Sequence, residues 1–419
     1  MNDRARIQSP MGRRDFLAGV GSAGLAVLAL PRTLAAQAPP IKVGAVLHMS
    51  GPLAVYGAEQ KAGLEVFVKG VNARGGISGR PVELIVEDDG TKPQVSVEKA
   101  RKLVSLDKVD VLTGGMITAS VVAIVQYVKE VRTPFLSIGG TTNTAVSPPN
   151  CYRYHFHFSS IPATVGSATL TVAPKFGDNA KWFFVGTDIE FGHEGVNALR
   201  TYAQRVVKIK DVGNAFPPLG TKDFTPIAAV IASAKPDVVA ISVGGFDHGQ
   251  LIKQIRLFGI TAHIHSLHLS TVDSASAGEA ALGMTGGTFF LHENAKAPRA
   301  AEFTHEYYKL TGRWPAGFAA LAATAMEMYQ TAVEKVGSTD KDKVVDALSG
   351  LVAEKSLLGV ARVRSCDQQL VSPTYTAEIA RHPQYGFTYK PVAEISEVEI
   401  EKNLTPCERT GCAPAMKRS

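Results

Sequence analysis

The sequence predicts an α/β fold of two Rossmann-like lobes with parallel-rich sheets, joined by a three-segment hinge. Three observations lead there. Apolar runs of strand length alternate with amphipathic helical segments through two successive blocks of the chain. Three strands of the first block end in loops of glycines and hydroxyl side chains, which in a parallel sheet with right-handed crossovers face one edge. A late run of three helical segments then follows the second block, and the chain is expected to cross between lobes more than once.

The elements follow in order. Ile41 to Leu47 is a strand, and Gly51-Pro52-Leu53-Ala54-Val55-Tyr56-Gly57 turns out of it into a helix over 58–73, where Ala62, Leu64, Val66, Phe67 and Val71 recur at helical spacing before Gly75-Gly76. Val82 to Glu87 alternates as a half-buried strand, and residues 93–106 return as a helix. Val109 to Leu112 runs into Gly114-Gly115 and a helix over 119–130. Phe135 to Ile138 is the next strand, and it stops at Gly139-Gly140-Thr141-Thr142. After Cys151 the rhythm resumes, with strands at 182–185, 206–209, 237–243 and 264–267 and helices from Phe191, over 225–234 and over 250–258. Gly287 to Leu291 crosses back to the first lobe, where helices are expected over 299–311, 316–336 and 340–350. Ala320, Ala323, Met326 and Tyr329 at helical spacing read as core packing. A third crossing near Val360 to Val363 brings the tail to the second lobe. The expected division is 1–36 as a leader, 37–152 with 290–361 as lobe one, and 153–289 with 362–419 as lobe two and tail.

Composition sets limits on function. The chain has 419 residues, 45% hydrophobic and 20% charged, an ordinary globular balance for two or three domains. Five arginines against two aspartates in the first 36 residues leave only +3 of the formal +6 for the remainder, and no basic cluster argues for nucleic acid. Residues 1–38 read as an export signal, with Arg13-Arg14-Asp15-Phe16-Leu17 leading into the apolar run Ala18 to Leu30 and Ala35-Ala36, a pattern resembling a twin-arginine signal cleaved after Ala36. No cysteine stands near that point, so no lipid anchor is expected, and the exported chain is expected to be soluble in the periplasm. The four cysteines, Cys151, Cys366, Cys407 and Cys412, allow three full pairings. A further possibility is that Cys151 is a buried free thiol while the late cysteines pair.

The glycine and hydroxyl loops carry the functional reading. A glycine-rich strand end exposes backbone N–H groups, and threonine hydroxyls beside them complete a cradle for a carboxylate without a cationic side chain. His263 and His265 alternate along a strand without a committed third ligand, so neither a metal nor a cofactor is expected.

The order of features over nearly the whole chain after the leader resembles the periplasmic Leu/Ile/Val-binding family of ABC-transporter substrate-binding proteins, which have the type I periplasmic binding fold. The resemblance rests on the opening strand with Gly51 to Gly57, on Asn72-Ala73-Arg74-Gly75-Gly76-Ile77-Ser78-Gly79-Arg80-Pro81, on Asp88-Asp89, on the strand leading to Gly139-Gly140-Thr141, on Asp223-Phe224 and on Val243-Gly244-Gly245-Phe246. It implies a hinged clamp with no catalytic activity and an inner-membrane ABC permease as partner, and we expect a monomer. It also implies that Thr118, Gly139 and Thr141 hold a ligand carboxylate, with Gly140 of the same loop as a further candidate from the glycine pattern, and that Tyr56 packs against the ligand. On the other lobe the family's amino-acid binders hold the ammonium with tyrosines and a glutamate, and this sequence departs from them with Phe191, Phe246 and His268. Loss of those acceptors argues for a carboxylate ligand without a free α-amino group, an aromatic or aliphatic acid. The alternative is a neutral amino acid with Asp247 as ammonium partner. A module serving a sensor or chemoreceptor is a third reading. An exported enzyme is disfavoured by the absence of dinucleotide, phosphate-loop and Gly-x-Ser-x-Gly turns after the expected strands.

Overall fold

A computed structural model describes residues 38–417, apart from 160, 293, 295, 296, 298, 316, 384 and 385. The proposed leader lies outside the described residues. The first sheet is built from β1 (Ile41–Leu47), β2 (Val82–Asp88), β3 (Val111–Gly114), β4 (Phe135–Ser137) and β5 (His155–His157), in the order β2-β1-β3-β4-β5. All its neighbours are parallel. Helices α1 (Ala54–Ala73), α2 (Pro93–Ser105) and α3 (Thr118–Val131) make the crossovers. Helix α1 starts four residues before the expected 58, because the turn is completed at Gly51, whose φ of +88° only glycine adopts freely. Strand β5 carries this sheet past residue 152.

The second sheet has seven strands in the order β15-β14-β10-β9-β8-β6-β7. Two short helices, α4 (Pro162–Val165) and α5 (Thr169–Val172), precede β6 (Lys181–Gly186) and α6 (Glu190–Val206). Then come β7 (Lys210–Ala215), α7 (Thr225–Ala234), β8 (Val238–Ser242), α8 (Phe246–Leu257), β9 (His263–His268), α9 (Thr271–Ala277) and β10 (Thr285–Thr288). Val206 to Ile209, expected as a strand, is the end of α6 and a connection, and the strand is the polar segment after it. Strand β7 lies at the sheet edge and is largely solvated, so no apolar run marks it. By contrast β8 is buried along its whole length and shows the continuous apolar run of a central parallel strand.

From β10 the chain returns to the first lobe through α10 (Arg299–Thr311), α11 (Gly317–Val336) and α12 (Lys341–Leu348). Helix α11 packs on α1, and a Cβ at Gly63 would stand 2.2 Å from the Ala319 carbonyl oxygen, so the two backbones are in direct contact. Ala320, Ala323, Met326 and Tyr329 are all buried in this contact, in keeping with their core reading. A three-stranded antiparallel sheet, β11 (Val352–Ser356), β12 (Gly359–Val363) and β13 (Leu370–Val371), leads into the hairpin β14 (Thr374–His382) and β15 (Gly386–Ile395), which extends the second sheet antiparallel to β10. The sequence reading did not place this hairpin. The chain ends with α13 (Glu397–Asn403), whose start carries a reciprocal Ser396 and Glu399 capping box.

Two disulfides fix the tail: Cys151 pairs with Cys412 and Cys366 with Cys407. Cys151 is therefore not a free thiol, and Cys407 and Cys412 do not pair with each other. Among the described residues no helix is long and apolar enough to cross a membrane.

Candidate solute-binding cleft

The carboxyl ends of the parallel strands in both sheets face a common cavity of about 190 Å³. Lobe one presents Tyr56 after β1, Thr118 after β3 and Thr141 after β4. Since the sheet order runs β1-β3-β4, these three residues form a row along the cleft. Lobe two faces them with Phe191 after β6, Ser242 at the end of β8 and Gly244 after it, and His268 at the end of β9 and Asp273 after it. Leu53, Ile161, Val165, Leu219, Leu267 and Phe318 make the rest mainly apolar.

The polar groups on lobe one suit an anion. Thr118 is the first residue of the 14-residue helix α3, and its N-cap, Ile117, has no side chain able to cap the first turn. Free N–H groups and the positive end of the helix dipole thus meet the cavity beside the Thr118 hydroxyl, which is 2.9 Å from that of Thr142. The turn is held from behind. Ile117 N–H donates to His48 Nε2 at 3.4 Å, the other nitrogen of His48 sits against Asp89, and Asp89 accepts from Ser96 Oγ at 2.7 Å, which lies 2.8 Å from Ser120 Oγ on the same turn of α3. Among the described residues no lysine or arginine lines the cavity.

Lobe two is different. The Tyr56 hydroxyl crosses the cleft and donates to the Asp273 carboxylate, with its oxygens at 2.9 and 3.1 Å, while it accepts from Gly245 N–H at 2.6 Å. Burial pushes the Asp273 carboxyl well above the usual range, and the Tyr56 and Gly245 hydrogen bonds only partly offset this. The Tyr56 phenol is likewise raised, by burial first and by Asp273 second. Glu59, one turn further along α1, is buried and raised well above the ordinary carboxyl range by desolvation and then by Asp273. His268 stacks against Phe289 at 5.1 Å and tilts over Phe318 at 5.3 Å, and burial lowers its pKa to about 4, so it is a neutral imidazole at neutral pH.

Of the residues singled out in the sequence, Tyr56, Thr118, Thr141, Phe191 and His268 share the cavity wall. Gly139, Gly140, Phe246 and Asp247 lie off it. A Cβ at Gly139 would stand 2.1 Å from the Gly115 carbonyl oxygen, and Gly140 adopts φ of +71° against Val121, so both serve the packing of the neighbouring strand ends. Gly140 N–H donates to Met116 O at 2.8 Å, and its carbonyl meets His157 Nε2 at 3.0 Å. Phe246 is 52% exposed and borders a separate groove of about 480 Å³ with Trp314. Asp247 is buried and accepts from Gly220 N–H at 2.7 Å. Asp273 was missed, because a carboxylate in the first turn of a short helix carries no sequence signal beyond that of a helix start. Among the described residues no group of three His, Cys, Asp or Glu side chains is placed to hold a metal.

A family model described as periplasmic binding protein matches residues 40–383. The chain belongs to the periplasmic binding protein family. It is 26% identical over 348 residues to Leu/Ile/Val-binding protein homolog 7 of Brucella abortus, covering 79% of this chain and 86% of that one. It is similar in fold to a periplasmic binding protein from Burkholderia mallei, with a TM-score of 0.78 and 23% identity over 89% of this chain and 98% of that one. A solute-binding protein of an ABC transporter from Rhodopseudomonas palustris, solved in complex with 3,4-dihydroxybenzoic acid, gives a TM-score of 0.77 at 22% identity, covering 85% and 98% of the two chains. This binding protein accordingly has the two-lobed type I architecture.

Proposed function

We propose that this binding protein clamps a small carboxylate, an aromatic or aliphatic acid without a free α-amino group, and passes it to an ABC permease of the inner membrane. The observation that carries this is the asymmetry of the cleft. The first lobe offers hydroxyls and the uncapped start of α3 to a carboxylate. The second offers Phe191, a neutral His268 and mainly apolar surface to the body of the ligand, with Glu190 and Asp273 as the carboxyls of its wall. A buried ammonium needs acceptors, and leaving it without them costs several kcal/mol, of order 2–7 kcal/mol for a polar group and more for a charge. The R. palustris protein with 3,4-dihydroxybenzoic acid supports an aromatic acid as a ligand this fold accommodates.

One observation favours a second reading. Asp273 is a carboxyl on the cavity wall, and it takes the place of Asp247 as the candidate partner for the ammonium of a neutral amino acid. The first reading is preferred because Tyr56 and Gly245 already occupy Asp273.

A thermal-shift screen separates the two. Benzoate, 4-hydroxybenzoate, phenylacetate, hexanoate and leucine are tested at millimolar concentration. A ligand at a hundred times its Kd stabilises the native state by ~2.7 kcal/mol, which raises Tm by a few degrees. We expect a shift with at least one acid and none with leucine; leucine alone producing the shift would refute the acid reading. Export by the twin-arginine segment, absence of a lipid anchor, a monomeric state and lobes divided at about residues 152, 289 and 361 belong to the same proposal. Capture of a receptor rather than a permease by the tagged protein would point to the sensor reading.

A further inference from the structure

We propose that Asp273 and Tyr56 are positioning residues that latch the two lobes together, so that closure of the clamp has a contribution independent of what the ligand is. This goes beyond the choice of ligand and holds for an acid or an amino acid alike. Tyr56 stands on α1 of the first lobe, and in the second Asp273 lies in the first turn of α9 and Gly245 just before α8, 217 and 189 residues away in sequence. All three hydrogen bonds are buried, with distances from 2.6 to 3.1 Å.

The surroundings are shaped for this approach. A Cβ at Gly244 would stand 2.9 Å from the Tyr56 hydroxyl, and one at Gly245 would stand 3.0 Å from the Pro52 carbonyl oxygen. The lobes therefore touch here with no room for a side chain on the second. A weaker tie lies at the opposite end of the row, where Asn143 N–H and Nδ2 donate to Glu194 Oε2 at 3.0 and 2.9 Å. Tyr56 belongs to the β1 end and Asn143 follows the β4 end, so the cavity is bracketed by the two contacts. A ligand shifts the open-closed equilibrium only by its own preference for the closed form, whereas a latch shifts that equilibrium itself and so changes the apparent affinity of every ligand by the same factor. Residues that touch the ligand act differently, because their removal changes each ligand's affinity by an amount set by its chemistry.

The test uses the full mature protein and four variants. Tyr56→Phe keeps the ring and loses the hydroxyl, Asp273→Ala removes the acceptor, Gly244→Ala intrudes on the contact, and Asp273→Asn keeps an acceptor oxygen for Tyr56. Small-angle X-ray scattering on protein stripped of ligand by unfolding and refolding reads the lobe separation, and calorimetry reads affinities for benzoate, 4-hydroxybenzoate and hexanoate. We expect a larger radius of gyration in the first three variants and a near wild-type value in Asp273→Asn. The same three are expected to weaken every probe that binds by a common factor of about ten, the net worth of one buried hydrogen bond. If Tyr56→Phe weakens one probe and spares another, Tyr56 is a ligand contact and the latch is refuted. Identical scattering from wild type and Tyr56→Phe also overturns it. If none of the three acids binds, the acid reading fails while the scattering still decides the latch.

Discussion

Gly139→Ala gives a sharp test of how the carboxylate side of the cleft is built. The added methyl would stand 2.1 Å from the Gly115 carbonyl oxygen and 2.5 Å from Met116 Cα, where ordinary contacts begin at 3.4 Å. The obstacle is backbone and cannot rotate away. One strand end must therefore retreat by about 1 Å, and the segment that retreats, Gly115 to Ile117, leads directly into the first turn of α3 and Thr118. Overpacking of this kind costs ~1–3 kcal/mol, and a rigid backbone neighbour places it at the upper end. Displacement of the α3 start also weakens hydrogen bonds to a charged ligand group, worth ~1.5–3 kcal/mol, so affinity for an acid falls by roughly tenfold to a hundredfold. Urea unfolding, read as a lower midpoint at unchanged m-value, checks the first figure, and calorimetry with the acid that gives the largest thermal shift checks the second. Gly140→Ala is the comparison: its cost is the left-handed conformation, about 1 kcal/mol, with close contacts to Val121 methyls at 2.9 Å and above. Wild-type stability in Gly139→Ala, with affinity alone reduced, would show that this glycine faces ligand and would refute the packing argument.

Three further outcomes follow from the same structure. Thr118→Val, which removes the hydroxyl but keeps the shape, is expected to weaken an acid ligand about tenfold while urea midpoints move little; calorimetry showing unchanged affinity would exclude Thr118 from the carboxylate cradle. His265 is held between the Thr169 and Thr285 hydroxyls at 3.0 and 2.9 Å, and burial lowers its pKa from 6.5 to about 3. Its unfolded form takes up a proton below 6.5 while the folded form does not, so its contribution to stability is lost as pH falls from 6.5 toward 3. His265→Gln abolishes that titration, and the stability gap between wild type and variant should narrow by about 2 kcal/mol from pH 7 to pH 5 in parallel urea titrations, at 1.36 kcal/mol per unit. The Cys151–Cys412 bridge joins residues 261 apart, and Cys412→Ser is expected to cost about 2–5 kcal/mol, read as a lower Tm than that of the wild type.

What was legible in the sequence depends on where each residue finds its partners. The strand at Ile41 to Leu47 and the helices over 225–234 and 299–311 were expected with the bounds the structure gives them. Their signals are local, since a central parallel strand is an unbroken apolar run and an amphipathic helix repeats every three to four residues. Strand β7 and the β14–β15 hairpin escaped for the opposite reason. Both lie at or toward a sheet edge with solvated residues, so their pairing comes from the register of the sheet and not from their own composition.

The same distinction divides the cleft. Thr118 and Thr141 stand within a few residues of the strand ends that position them, and the glycine and hydroxyl pattern announces them. Even there the pattern misled in part, because a glycine after a strand serves equally for ligand approach and for backbone packing, and Gly139 and Gly140 do the second. The opposite wall forms only when the lobes meet. Tyr56 was visible as an aromatic on a turn, but its hydroxyl partner is 217 residues away on a helix of seven residues with no motif. That partner changes the chemistry of the second lobe. A carboxyl that stood free on the cavity wall would attract an ammonium, whereas one already clasped by a phenol and a backbone N–H has less left to offer. In the proposed reading the ligand's carboxylate is met on the first lobe, by the start of α3, and the second lobe supplies shape and closure.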